Sequence, residues 1–177
     1  SKDVILNEQE IIYLKEKKII TMCVDPDWEP FEKINKAGFH EGISADIIKL
    51  ISDKLNITIK LIPTKTWDES IALSKDKKCD ILSFLNETAK RKEWLNFTEP
   101  IFTDPNVLVG RSEKKYIEDI SKVNLSIALP RQTAMAERFS KDFPNLTIIP
   151  TTTEDEAVRL VEEQKADLTL RSMIITA

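Results

Sequence analysis

The stretch ITIKLIPTKTWDESIALSKDKKCDILSF, residues 57–84, decides the fold. It opens on ITIKLI (57–62), a run of β-branched and apolar residues suited to a strand. Thr66 and Glu69 then have capping-box spacing, in which a hydroxyl and a carboxylate satisfy each other's backbone donors. A helix is predicted from there to about Lys77. DILSF (80–84) restores the strand pattern. Strand, helix and strand in close succession imply parallel pairing, because parallel strands need a crossover between them.

The same alternation extends in both directions. Upstream, apolar Ile47, Ile48, Ile51 and Leu55 recur at helical spacing over 44–55, with Ser44 as the expected N-cap. IITMCV (19–24) reads as a buried strand, and EQEIIYLKEK (8–17) as a short amphipathic lead-in helix. DPDWEPF (25–31) reads as a loop stiffened by two prolines. Downstream, an extended stretch at 104–110 precedes strands at 125–129, 146–150 and 167–171, with helices at about 133–142 and 154–164 between them. The fold class is therefore α/β.

One internal echo stands out. Thr66 and Asp80 are separated by the same number of positions as Thr153 and Asp167. Asp68 and Asp155, Glu69 and Glu156, Leu73 and Leu160, and Lys78 and Lys165 match at that same offset. Two capped helices can coincide in this way by chance. Alternatively, the chain holds two lobes, each with a βαβαβ core, and the strand groups at 19–84 and 125–171 favour that organisation.

Composition excludes several function classes. The 26 basic and 30 acidic residues of the 177 leave a net charge of −4, which gives no general attraction to nucleic acid or anionic lipid. Three glycines, Gly38, Gly42 and Gly110, cannot form a dinucleotide fingerprint or a phosphate loop. His40, the single histidine, reads as a solvated turn residue. With it and two cysteines, no metal site or cofactor is expected. Cys23 and Cys79 fall at different heights on their predicted strands, so both read as free, buried thiols.

Ligands of open parallel sheets bind beyond the carboxyl ends of the strands. Asp25 and Trp28 follow the first strand, Trp67 follows the second, and Asn86, Thr88 and Arg91 follow the third. In the second half Arg131, Thr133 and Ala134 follow one strand, and Arg171 and Ser172 end the last. Tryptophan faces would cover the apolar part of a small ligand, and arginine would grip a carboxylate with two donors. Backbone donors at the helix start near Thr133 would add anion affinity.

CVDPDWEPFEKI, EGISADIIKLI, WDESI and CDILSFLNETAKRKEWLNFTEPIF, followed by IALPRQTAMAERF, TIIP and QKADLTLRS, resemble the bacterial solute-binding proteins of family 3. The resemblance runs from about Ile19 to Ala177. It implies a two-lobed type II periplasmic binding protein of Venus-flytrap architecture, each lobe a mostly parallel sheet flanked by helices. It divides the chain into a lead-in helix (1–18), lobe 1 (19–110) and lobe 2 (111–177). The lead-in also resembles the flytrap input domains of membrane histidine kinases and diguanylate cyclases. In the family the chain later returns to complete lobe 1. This sequence stops before that return, so a truncated protein is expected.

The resemblance also implies a ligand-binding set: Asp25, Trp28, Trp67, Asn86, Arg91, Thr133, Ala134, Arg171 and Ser172. Asn86 stands where the family's carboxylate clamp carries Thr, with Arg91 five residues on. Ser172 stands where amino-acid binders usually carry an Asp that holds the ammonium. That departure leaves the choice between an amino acid and a carboxylate without an amine open. The implied function is extracytoplasmic sensing of such a ligand by cleft closure, with the chain joined to a membrane signalling domain or tethered to the inner membrane. The alternatives are a free solute-binding protein serving an ABC permease, an enzyme on the same fold similar to a cyclic amino-acid dehydratase, and a flytrap that docks a protein instead of a small molecule. No catalytic residue and no nucleic-acid partner are implied.

Overall fold

The computed structural model describes residues 3–176. The chain forms two compact units that divide between Leu85 and Asn86.

In the first unit, helix α1 (Glu8–Lys17) leads into strand β1 (Ile19–Cys23). A capping box between Asn7 and Glu10 starts α1, yet none of its residues is buried. β1 is the central strand of a parallel sheet, with β5 (Thr58–Leu61) on one side and β6 (Ile81–Leu82) on the other. Helices α2 (Ile43–Leu55) and α3 (Trp67–Lys75) make the crossovers. Buried Ile20, Met22, Cys23, Val24, Phe31 and Ile71 form the core.

Between β1 and α2 the chain builds a small antiparallel ribbon of β2 (Asp27–Trp28), β3 (Glu32–Ile34) and β4 (His40–Glu41). The sequence reads as a loop there, because strands of two or three residues carry no alternation to detect. The expected N-cap of α2 shifts as well. The cap is Gly42, and Ser44 lies inside the helix, 1% exposed. Gly42 is required: its φ is 109°, and a Cβ there would lie 2.6 Å from the Phe31 carbonyl oxygen. This close approach lets Ile43 and Ser44 donate their N–H groups to the Pro30 and Phe31 carbonyls, which anchors the helix start without a side-chain cap.

The second unit repeats the plan. Strands β8 (Ser126–Pro130), β9 (Thr147–Thr151) and β10 (Leu168–Ser172) are parallel in the order β9-β8-β10, matching β5-β1-β6. Helices α4 (Ala134–Asp142) and α5 (Glu154–Glu162) make the crossovers. Strand β7 (Asn106–Gly110) adds to β10 antiparallel, from Leu168 opposite Gly110 to Ser172 opposite Asn106. This pairing places 106–110 with the second sheet, so the observed division precedes the expected boundary at 110. A short helix α6 (Met173–Thr176) follows β10. Ile127, Leu129, Phe139, Leu146, Leu168 and Leu170 pack on the α4 side, and Ala128, Ala157, Val161 and Ala166 on the α5 side.

The internal echo is structural. Thr66 caps α3 and Thr153 caps α5, each accepting a backbone N–H three residues on. The carboxylates of Glu69 and Glu156 do not complete capping boxes; they reach one residue further back, to the N–H groups of Lys65 and Thr152. A positive-φ residue follows the C-cap of each helix, Lys77 after α3 and Gln164 after α5. The third strand of each sheet is then fastened by the same clasp. Asp80 accepts from the backbone and hydroxyl of Thr21, and Lys17 pairs with its other oxygen. Asp167 accepts from the backbone and hydroxyl of Ser126, and Lys114 pairs with its other oxygen. Both carboxyls titrate below the usual range. The Thr21 and Lys17 bonds overcome the opposing burial at Asp80. At Asp167 the Lys114 and Ser126 bonds bring the value to about 2.

Candidate ligand-binding site

In the first unit the predicted residues follow strand ends. Asp25 comes directly after β1 and Val24, and its side chain accepts the N–H of Asp27 in a tight turn. The Asp25 N–H donates to Glu32 Oε1 at 2.9 Å. Glu32 is 1% exposed, and its other oxygen takes Ser83 Oγ at 2.6 Å and His40 Nε2 at 2.9 Å. One buried carboxylate therefore ties the Asp25 turn, the ribbon and the segment after β6 together. His40 is not a solvated turn residue: its side chain is 9% exposed and paired with this acid. Trp28 packs on Phe31 and Phe84, with ring centroids 4.7 and 6.3 Å away. Trp67 is the first residue of α3 and is partly buried.

Cys23 and Cys79 are free and buried, as expected. Burial, reinforced by Cys79, pushes the Cys23 thiol far up.

In the second unit Arg91 is the central group. It is 6% exposed, and its guanidinium donates to the carbonyls of Asn86 at 2.9 Å and Gln132 at 2.6 Å. It thereby joins the segment after Leu85 to the start of α4. Burial lowers its pKa to about 10, opposed by the charge of Glu137. Thr133 caps α4: its hydroxyl accepts from the Ala136 N–H and donates to the Pro130 carbonyl. Ala134 is the first residue of the helix. Arg131 is exposed and approaches Thr152.

Arg171 and Ser172 point to opposite faces of the sheet, as neighbours on a strand must. Arg171 stands 3.7 Å from Glu154 and 3.8 Å from Asp155 at the start of α5, so its charge is already opposed. Ser172 is buried, accepts the Ile174 N–H at 3.0 Å and donates to the carboxylate of Asp104. Sequence reasoning missed Asp104, which lies far from Ser172 in the chain and before a proline. It missed Glu32 as well, because an acid beside lysine reads as surface.

Residues 20–148 match the bacterial extracellular solute-binding proteins, family 3. The chain belongs to this family. It is 20% identical over 176 residues to the virulence sensor protein BvgS of Bordetella pertussis, covering 99% of this chain and 14% of that sensor. Its structure superposes on the crystal structure of the B. pertussis BvgS periplasmic domain with a TM-score of 0.82 at 20% identity, covering 96% of this chain and 33% of that one. It superposes on an ancestral amino acid-binding protein, AncCDT-1, described as a precursor of cyclohexadienyl dehydratase, with a TM-score of 0.78 at 22% identity, covering 92% and 74%. These neighbours share the type II periplasmic binding protein fold.

Proposed function

We propose that this chain binds a small amino acid or carboxylate ligand outside the cytoplasm and acts as the input domain of a transmembrane signalling receptor. The ligand set is Asp25, Trp28, Trp67, Asn86, Arg91, Thr133, Ala134, Arg171 and Ser172. The observation that carries the reading is Arg91, a buried guanidinium joined to the segments on either side of it at the strand ends of a solute-binding fold. Trp28 and Trp67 supply apolar faces in the other unit. A ligand that contacts residues of both units differently in two conformations shifts the balance between them, which is the signal.

The sensor role rests on the likeness to BvgS. A free solute-binding protein of an importer would use the same site. The flanking sequence separates the two: a membrane span with a kinase or cyclase domain supports the sensor, and a stop codon beside permease genes supports the importer. An enzymatic role is disfavoured. Asp27 and Glu29 are exposed, Glu29 pairs with Lys33, and Glu32 already receives three donors. Calorimetric and thermal-shift screening of the full chain against amino acids and carboxylic acids tests the binding role. Saturable binding by one class is expected, and weaker binding by Trp67→Ala. No binding by any member of either class would overturn the reading.

A further inference from the structure

The three helix-to-strand turns of the first unit all lie at one edge of its sheet. α1 passes through Lys18 into β1, α2 through Asn56 and Ile57 into β5, and α3 through 76–80 into β6. β5 and β6 both pair parallel to β1, so the strands start towards a common edge. The Lys17–Asp80 pair draws the first and third turns together. Lys15, Lys18, Lys54, Lys77 and Lys78 are exposed in these turns or in the last helical turn before them. None of the five has an ion-pair partner among the described residues. Of the acids there, Asp80 is taken by Lys17 and Asp53 by Lys49. Glu16 and Asp76 remain, and five lysines against two acids leave a net charge of +3.

The second unit has the same plan and serves as the comparison. At its corresponding edge Lys114, Lys122 and Lys165 pair with Asp167, Asp119 and Glu163. Lys115 and Lys141 there are matched in number by Glu118 and Glu162. The excess charge therefore belongs to one edge and not to the plan, and the chain's net charge of −4 conceals it. Its chemistry selects an occupant. The first unit contains no arginine, so this edge has no planar fork for two-pronged recognition of one carboxylate or phosphate. Lysine ammoniums on separate turns suit diffuse attraction to many phosphates in one plane. Ile12 and Tyr13 on α1 and Ile19 at the start of β1 are exposed in the same stretch of chain. Apolar and phenolic side chains among lysines suit the headgroup boundary of a bilayer. Asp25 and Trp28 follow β1 at the opposite edge of the sheet, so a bilayer held here leaves that edge clear.

We propose that the lysine edge formed by the α1–β1, α2–β5 and α3–β6 turns docks this unit on an anionic phospholipid bilayer. Sedimentation of the full chain with vesicles tests it. Mixed phosphatidylglycerol–phosphatidylcholine vesicles should bind the chain at low salt and release it as salt rises, because exposed charges are screened beyond about 10 Å at 0.1 M. Vesicles of phosphatidylcholine alone should bind about ten-fold more weakly or worse. One lysine near an anionic surface contributes about five-fold in affinity, so Lys18→Gln, Lys77→Gln and Lys78→Gln together should weaken binding by about a hundred-fold. The same charge change in the second unit, Lys115→Gln, Lys122→Gln and Lys141→Gln together, should weaken it by about two-fold or less. Circular dichroism and thermal unfolding of both triple variants should match the parent. Equal binding to the two kinds of vesicle, or an equal loss in the two triple variants, would overturn the inference. So would binding to soluble poly-L-glutamate but not to vesicles, which would assign the edge to an acidic protein. If the first triple variant does not fold, Lys78→Gln alone with undiminished vesicle binding overturns it. No small ligand enters this assay, so its failure leaves the binding function proposed above standing.

Discussion

Arg91 is both a proposed ligand anchor and a bridge within its own unit, and replacing it separates the two roles. Arg91→Ala removes hydrogen bonds to the Asn86 and Gln132 carbonyls. A buried acceptor left without a partner costs about 1–3 kcal/mol. Asn86 and Gln132 are themselves exposed, so water relieves part of that, and about 1 kcal/mol each applies. The lost packing of a side chain that is 6% exposed adds about 1 kcal/mol. The expected loss is about 3 kcal/mol, or a fall of about 6–12 °C in Tm. Arg91→Lys keeps the charge but has no planar fork to span both carbonyls, so about half of that loss is expected. Urea unfolding followed by circular dichroism, alongside a thermal scan, measures both variants. If Arg91→Lys matched the parent in midpoint and Tm, the two-carbonyl bridge would carry no energy and the argument would fail.

The Asp167 clasp makes stability depend on acid. Its native carboxyl titrates at about 2 against 3.8 for an ordinary one, so its contribution is complete above about pH 4 and is lost as the pH falls towards 2. The shift sets an upper bound of about 2 kcal/mol, and partial exposure of the pair reduces this to about 1 kcal/mol. Asp167→Asn should flatten that part of a denaturation-against-pH curve. Gly42→Ala should cost about 1–3 kcal/mol in urea unfolding, because the positive φ and the Phe31 carbonyl both oppose a Cβ. Glu32→Gln loses the paired acceptor of Asp25, His40 and Ser83; a destabilisation of about 1–3 kcal/mol and a shift in tryptophan emission near Trp28 are expected.

The βαβαβ alternation was legible because each helix and most strands are long enough to show their periods, as at 57–84. The echo was legible because one capping and clasping scheme recurs with the same residue types. The ribbon was not legible, since its pairing is fixed by the carboxylate of Glu32 and by the Gly42 approach, neither of which leaves a periodic trace. Trp28, Arg91 and Thr133 do lie after strands, as the alternation of elements led one to expect. Their partners were hidden: Arg91 bonds to backbone carbonyls, which no side-chain pattern reveals. Ser172 read alone suggested a lost charge, whereas Asp104 brings a carboxylate to it from another strand connection.

The two clasps also bear on how the chain reaches its fold. Thr21–Asp80 joins residues 59 apart and Ser126–Asp167 residues 41 apart. Loop-closure entropy grows only as the logarithm of length, so the two closures differ by about 0.3 kcal/mol. Neither half has a meaningful topological head start. The order in which they form is therefore set by the intrinsic strength of their helices and cores, and substitutions in those helices should reorder the folding steps without altering the final register.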